Sequence, residues 1–203
     1  MCATRWRRWV CWGTCVWLLS LAPLAVANGA EPGLVGWWTF DEPSGTVAHD
    51  SSGNGNNGAL AGATTWIPGK LDGAIDFAGA TGAFVTVPDA ASLDITDAIT
   101  MAVWVNPRTT GDHRWLVAKQ MYGAAETYGL SFTNAGTVEC GVSINNAWTY
   151  RQTTAAISNG TWAHVVGQYS PPVMRVFING KLSQEWNVGA GKINTNNNNG
   201  VCT

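Results

Sequence analysis

The fold of this chain is constrained most by a succession of short apolar or alternating segments separated by Gly, Asn, Asp and Pro. No long stretch repeats apolar residues with the period of an amphipathic helix, and only residues 90–93 indicate a short helical turn. Many short strands with turn residues between them are typical of a β-sandwich or β-barrel. The strands are predicted at residues 34–40, 83–87, 99–105, 115–119, 128–132, 137–144, 162–169 and 174–178.

Two of these segments carry more detail. Residues 99–105 alternate in side-chain direction, and both resulting faces are apolar or small, which predicts a central strand covered on both sides. Residues 174–178 and 181–183 flank Asn179-Gly180, a pair that supplies the two positive-φ positions of a type I′ turn. The sequence therefore predicts an all-β, antiparallel fold with a tight hairpin near its C-terminal end.

The N-terminus has the organisation of a secretory signal peptide. Arg5, Arg7 and Arg8 precede an apolar run that ends in Ala25-Val26-Ala27, so cleavage is predicted before Asn28. A membrane anchor is the alternative, but Gly13 and Pro23 interrupt the run, which is near the lower length limit for a spanning helix. We thus predict a signal peptide at residues 1–27, a short leader at 28–33, one domain at 34–203, and a secreted, periplasmic or cell-surface protein.

After removal of the predicted signal peptide, the composition of the folded domain is that of residues 28–203. Removal leaves 176 residues, enough for one domain with a sizeable core. Eight basic residues then stand against thirteen acidic ones, a formal net charge of −5, and eight of the twelve Trp remain. A mildly acidic domain without a basic stripe excludes nucleic acid and anionic lipid as expected partners.

Two cysteines, Cys140 and Cys202, remain after signal cleavage, in a compartment that permits oxidation. A Cys140–Cys202 disulfide is one possibility. The other is a buried thiol at Cys140 and a separate thiol in the tail. No cysteine or histidine spacing is that of a zinc site.

Four segments of the sequence, taken in order, resemble one known family. They are GLVGWWTFDEPSGTVAHDSSGNGNNGAL, GAIDFAGATGAFVTVPDAASLDITDAITMAVWVNP, NGTWAHVVGQY and MRVFINGK. They are similar to laminin G-like jelly-roll domains of the concanavalin A-like lectin/glucanase superfamily. The resemblance implies two antiparallel sheets packed face to face, an extracellular carbohydrate or protein partner, and in many members a structural calcium ion.

The sequence departs from that family in two places. Gln168-Tyr169-Ser170-Pro171-Pro172 stands where the family usually has a Tyr-Asp-Gly turn. The family also continues beyond the Asn-rich loop at residues 194–200 with an apolar strand and a strand bearing Asp-Glu-Val-Arg-Ile-Tyr. The resemblance therefore implies a fragment without its last strand or strands, with an open sheet edge beside residues 34–40 and lower stability than an intact relative.

Asp41, Asp50 and Asn54 are candidate calcium ligands. Calcium takes six to eight oxygen ligands, usually on irregular backbone, and Asp50 opens a loop rich in Gly and Asn. The alternative is that Asp50 and Asn54 are ordinary turn residues. The resemblance adds weight to calcium, which is the cofactor we predict.

Exposed aromatic residues are the candidate ligand-binding groups, because aromatic faces pack on the apolar faces of sugar rings. Trp148, Tyr150 and Arg151 are the preferred set, since Asn145-Asn146 precede them in a predicted loop. Core packing is the alternative for any single aromatic residue. Further candidates are Trp115, Tyr122 and Tyr128.

No catalytic set is recognised. A retaining glycosidase needs two carboxylates about 5 Å apart, and glycan-cleaving relatives place them on alternate residues of one strand, a pattern missing from this sequence. His164 lies in a predicted strand without a Ser or Cys nucleophile motif nearby, so we predict a hydrogen-bonded structural histidine. The chain is therefore predicted to be a non-catalytic carbohydrate-binding or adhesion module. The alternatives are a fragment of a larger secreted glycan-active enzyme or adhesin, and a degenerate glucanase- or lyase-like enzyme.

Overall fold

A computed structural model describes residues 31–79, 82–108, 114–121, 124–195 and 201–202 of the chain. The predicted signal peptide lies outside these residues, as does Tyr122. Within the described ranges no helix is long and apolar enough to cross a membrane.

The described part is all-β apart from one 3-10 turn at Ala91–Leu93. Its strands are β1 (Val47–Ala48), β2 (Gly58–Ala61), β3 (Thr65–Pro68), β4 (Gly73–Asp76), β5 (Phe84–Val87), β6 (Ile99–Val105), β7 (Arg114–Met121), β8 (Ala124–Phe132), β9 (Thr137–Ile144), β10 (Ala147–Ala156), β11 (Ala163–Ser170), β12 (Val173–Ile178), β13 (Lys181–Asn187) and β14 (Val201–Cys202).

Two main sheets form a sandwich. The larger has eight strands in the order β1-β2-β5-β14-β7-β8-β9-β10, the smaller has four in the order β13-β12-β11-β6, and β3 and β4 form a separate pair. Each described strand pairing is antiparallel. This is the jelly-roll sandwich that the sequence predicts.

The core lies between the two sheets. Leu130, Cys140 and Val142 of the large sheet meet Val165 and Val176 of the small one in a single buried cluster. All five are fully buried. Alternation of apolar and polar residues along these strands directs one side-chain row of each sheet into this core.

The predicted hairpin is confirmed. Residues Asn179 and Gly180 connect β12 to β13 with φ angles of 52° and 75°, the positive values that a type I′ turn requires. The Asn179 side chain also accepts a hydrogen bond from the His164 backbone N–H at 2.9 Å, which ties the turn to the neighbouring strand.

Two expectations about strands are wrong. β6 is an edge strand of the small sheet in the described part of the chain, and Trp104 on its outer side is 39% exposed. Residues 34–40 form no strand and contribute one isolated bridge, Trp38 to Asp50. β14, a short strand that was not predicted, lies between β5 and β7. The second face of β6 carries small or amphipathic side chains, which are compatible with either a covered or an exposed sheet face. Composition therefore did not distinguish an edge strand from a central one.

Candidate functional site

The register of the large sheet separates its residues into a core side and an outer face, the side turned away from the small sheet. Gly129 of β8 is paired with Gly141 of β9, and Gly141 with Tyr150 of β10. Directly opposite residues point to the same side of a sheet, and neighbours along a strand point to opposite sides. Because Leu130 and Cys140 enter the core, this glycine row and Tyr150 lie on the outer face.

Two tryptophan rings cover the glycine row on the outer face, that of Trp115 from β7 and that of Trp148 from β10. A Cβ atom on Gly129 would lie 2.5 Å from the Trp115 ring, and one on Gly141 would lie 2.2 Å from the Trp148 ring. The two rings meet edge to face with centroids 6.4 Å apart and an interplanar angle of 67°. Only glycine leaves room for this tryptophan pair, which gives the outer face an aromatic centre.

Trp148 and Tyr150, two of the predicted ligand-binding residues, therefore share the outer face. Neither belongs to a core cluster, and the Tyr150 side chain is 47% exposed. The third residue of the predicted set does not join them. Arg151 is paired with the core-facing Cys140, and its guanidinium donates to the Tyr150 carbonyl at 2.7 Å.

The other predicted aromatic candidates have different positions. Trp115 joins Trp148 in the tryptophan pair, as described above. Tyr128 is buried in the core, where its hydroxyl donates to the Leu93 carbonyl at 3.1 Å, so it is not a surface aromatic. Tyr122 lies outside the described residues.

Polar groups surround the tryptophan pair and were missed from the sequence. Gln152 donates to the Glu139 carboxylate at 2.8 Å, and the Ser143 hydroxyl accepts from the Asn194 amide at 3.2 Å. The Ser131 hydroxyl is buried and has no hydrogen-bond partner. The available signal was the alternation of Ser and Glu with apolar residues in β8 and β9, which marks these positions as outward-facing.

Asp50, the central predicted calcium ligand, accepts four hydrogen bonds from its own surroundings. One carboxylate oxygen accepts from the backbone N–H groups of Trp37 and Ser52, each at 2.9 Å. The other accepts from the Ser52 hydroxyl at 2.8 Å and the Asn56 N–H at 2.9 Å. A carboxylate has about four lone-pair sites, so these donors occupy the positions from which Asp50 would bind a cation.

The other two predicted calcium ligands serve different contacts. Asp41 accepts from the Gly73 N–H at 2.8 Å, and the Asn54 amide donates to the Leu34 carbonyl at 3.0 Å. In the described ranges no group of three or more His, Cys, Asp or Glu side chains is placed to hold a metal ion. As arranged, these residues do not fit a calcium ion, and calcium binding by the chain stays a prediction.

Of the two alternatives for the cysteines, the structure has the buried thiol at Cys140 and lacks the Cys140–Cys202 disulfide. Cys140 is a buried free thiol, and burial followed by the charge of Glu139 raises its pKa to about 12. Cys202 lies on β14, where it is paired with Ala118 of β7, and β14 is three strands away from β9 in the sheet. Three intervals of about 4.8 Å place the two backbones about 14 Å apart, twice the roughly 7 Å that a disulfide spans.

His164 lies on the outer side of the small sheet, where its ring contacts Trp104 at a centroid distance of 5.1 Å. Ala163 and Val165 on either side of it are buried, as the alternation of a strand requires. The His164 backbone N–H donates to the Asn179 side chain at 2.9 Å and its carbonyl accepts from the Asn179 N–H at 2.8 Å. The predicted hydrogen bonding of this residue is thus through its backbone, whereas its imidazole contacts an aromatic ring.

The fold and this face define the class of the protein, a concanavalin A-like jelly-roll sandwich with an aromatic outer face on its larger sheet. A laminin G family model, described as the concanavalin A-like lectin/glucanases superfamily, matches residues 79–202. The chain therefore belongs to the concanavalin A-like lectin/glucanases superfamily. The sequence finds no match among curated proteins.

Solved structures with this fold include domain 4 of AbnA, a GH43 extracellular arabinanase from Geobacillus stearothermophilus, in complex with arabinotriose. It is 19% identical with a TM-score of 0.64, covering 83% of this chain and 82% of that one. The binding domain of Paraclostridial Mosquitocidal Protein 1 is 15% identical with a TM-score of 0.60, covering 82% of this chain. The present chain spans 45% of that domain's length. At these identities the likeness shows the fold.

Proposed function

We propose that this chain is an exported, non-catalytic module that binds carbohydrate through the outer face of its larger sheet. The observation that carries the proposal is the tryptophan pair of Trp115 and Trp148 beside the exposed Tyr150. A sandwich of this kind directs its aromatic residues into the core by default. Three aromatic side chains on the opposite side of the sheet therefore need another use.

The chemistry of this face suits a sugar. Aromatic rings pack on the C–H surfaces of sugar rings, and a few polar groups orient the hydroxyls. On the same face as the tryptophan pair, the exposed Gln152 donates to the buried Glu139 carboxylate at 2.8 Å, which places a carboxylate–amide pair beside the rings. Support also comes from the AbnA domain, whose structure contains arabinotriose.

The same face argues for binding without catalysis. A retaining glycosidase needs two carboxylates about 5 Å apart. Among the paired residues that face outward on β8, β9 and β10, Glu139 is the one carboxylate. The proposal of export is supported by the signal peptide predicted for residues 1–27, which would direct the module out of the cytoplasm.

The test is calorimetric titration of the purified chain with neutral oligosaccharides. Truncation of Tyr150 (Y150A) or Trp148 (W148A) is expected to weaken binding about tenfold or more, equivalent to about 1.4 kcal/mol, because each removes part of the aromatic surface. Y150A is the cleaner variant, since Trp148 also packs on Gly141.

The matched control is W104A, which removes a 39% exposed tryptophan from the outer side of the small sheet. It is expected to bind as the unaltered chain does. Equal losses in W104A and W148A would overturn the assignment of the site. Cleavage of a polysaccharide that is lost in E139Q would replace the binding module by an enzyme.

A further inference from the structure

The Ser131 hydroxyl is the outstanding unexplained polar group of the outer face. The side chain is 0% exposed, and its oxygen has no hydrogen-bond partner. A buried polar group without a partner loses its hydration and receives nothing in return. Such a group in a folded domain calls for an explanation.

Ser143 provides a direct comparison within the same sheet. It is paired with Trp148 and therefore also lies on the outer face, and it is 1% exposed. Its hydroxyl accepts a hydrogen bond from the Asn194 amide at 3.2 Å. Two serines of the same sheet face are thus equally buried, and one of them is left unsatisfied.

Ser131 lies in a row that crosses four strands. It is directly opposite Trp115 on β7 and Glu139 on β9, and Glu139 is opposite Gln152 on β10. The row therefore runs from an aromatic ring through an unpaired hydroxyl to a carboxylate–amide pair. This order of groups, of which Ser131 and Glu139 are buried in the free protein, matches a sugar ring, which offers a C–H face and hydroxyl groups at its rim.

The row also limits the charge of the ligand. Its one ionisable group is the Glu139 carboxylate, so it offers no cation to a uronate or sulfate. An anionic sugar would meet a like charge in partly desolvated surroundings, which is unfavourable. A neutral sugar meets hydrogen-bonding groups alone.

We propose that the outer face binds an uncharged saccharide and that a ligand hydroxyl makes the hydrogen bond that Ser131 lacks in the free protein. This inference rests on the proposed carbohydrate-binding function and specifies its ligand class and one specificity-determining residue. Because Ser131 is fully buried, a ligand reaches it only when a neighbouring side chain moves. We assign that movement to Trp115, which is half-buried and directly opposite Ser131 on β7.

The experiment compares S131A with S143A in thermal unfolding and in titrations with arabinotriose, xylotriose, maltotriose and trigalacturonic acid. S131A is expected to raise the melting temperature by about 2–4 °C, because it removes an unsatisfied buried hydroxyl. S143A is expected to lower it, because it removes one of the two acceptors of the Asn194 amide, the other being the Asn146 side chain.

S131A is expected to weaken ligand binding although it stabilises the free protein. S131A should weaken the binding of the best neutral trisaccharide about five- to tenfold, the loss expected for one hydrogen bond. Trigalacturonic acid should bind at least tenfold more weakly than the neutral ligands. Ligand binding should also change the intrinsic fluorescence, and W115F should remove that change.

The outcomes separate this inference from the proposed function. If S131A binds the neutral ligand as tightly as the unaltered chain while Y150A does not, the role of Ser131 is overturned and the carbohydrate site stands. Preferred binding of trigalacturonic acid overturns the uncharged ligand class alone. If no saccharide binds to the unaltered chain, both the proposed function and this inference are overturned.

Discussion

Asp50 stabilises the loop between β1 and β2 through four hydrogen bonds that converge on one carboxylate. Burial by itself would raise the pKa of Asp50. The hydrogen bonds from the backbone and hydroxyl of Ser52 and from the backbone of Trp37 and Asn56 together outweigh burial, so the pKa lies below its ordinary value of 3.8. The charged form is therefore the one that the folded chain prefers.

Replacement of Asp50 by Asn (D50N) is expected to lower the free energy of unfolding at pH 7 by roughly 1–3 kcal/mol, since an amide cannot accept all four donors. A depressed folded-state pKa contributes stability above the unfolded-state pKa of about 4, and that contribution disappears as the pH falls through the folded-state value. Urea denaturation should therefore show a gap between the two proteins at pH 7 that shrinks at pH 3. An equal gap at both pH values would contradict this role of the Asp50 charge.

The same pair of proteins tests the calcium prediction. Because the donors around Asp50 occupy its lone pairs, the melting temperature of the unaltered chain is expected to be the same in calcium and in EDTA. A rise in calcium that D50N abolishes would show that the loop rearranges around the ion and would restore Asp50 as a ligand.

At the scale of elements, glycines decide how closely strands and rings approach. Gly129 and Gly141 leave space for the tryptophan pair on the outer face. Gly167 of β11 leaves space on the core side for side chains of the larger sheet. A Cβ atom there would lie 2.8 Å from both the Cys140 sulfur and a Leu130 methyl. The distance between the two sheets therefore depends on Gly167.

G167A is expected to lower the free energy of unfolding by about 1–3 kcal/mol through overpacking. The C140A variant should relieve part of that loss, because it removes one of the two atoms that the new methyl group meets. Chemical denaturation of both single variants and the double variant measures the coupling. Strict additivity would mean that Gly167 does not set the contact with Cys140.

At the scale of the whole molecule, β14 joins the two parts of the larger sheet. Val201 is paired with Val87 and Lys119, and Cys202 with Thr86 and Ala118. Beyond that register, Val85 and Phe84 of β5 have no strand partner on the side of β14 in the described part of the chain. Two residues of pairing thus connect strands β1, β2 and β5 to strands β7–β10.

Addition of four residues after Thr203, alternating Val and Thr, is expected to raise the melting temperature by extending this pairing along β5 and β7. The matched control adds Gly and Pro in the same number, because Pro cannot donate to the strand ladder. Differential scanning calorimetry measures both. An unchanged melting temperature in the Val/Thr chain would show that the connection through β14 does not limit stability.

Local patterns were sufficient for most strands and for the hairpin. The bounds of β6 and β9 agree with the predicted segments, and the Asn179-Gly180 turn has the predicted φ angles. β10 was missed because Thr149 and Gln152 weaken its apolar alternation. For the site, Trp148 and Tyr150 lie on the outer face, and their ligand-binding role stays a prediction. Alternation marked Ser131 and Glu139 as outward-facing but did not distinguish them from other polar strand residues.

The sequence by itself determined the all-β class, the alternation that creates a core, and the family resemblance, because each depends on neighbours along the chain. Only the tertiary structure decided which strands lie at the sheet edges and that Arg151 is on the opposite side of the sheet from Tyr150. It also decided that Cys140 is far from Cys202. These depend on strand order and register, which bring together residues that are distant in sequence. The tryptophan pair shows this most directly, since Trp115 and Trp148 meet only because three pairings align two glycines beneath them.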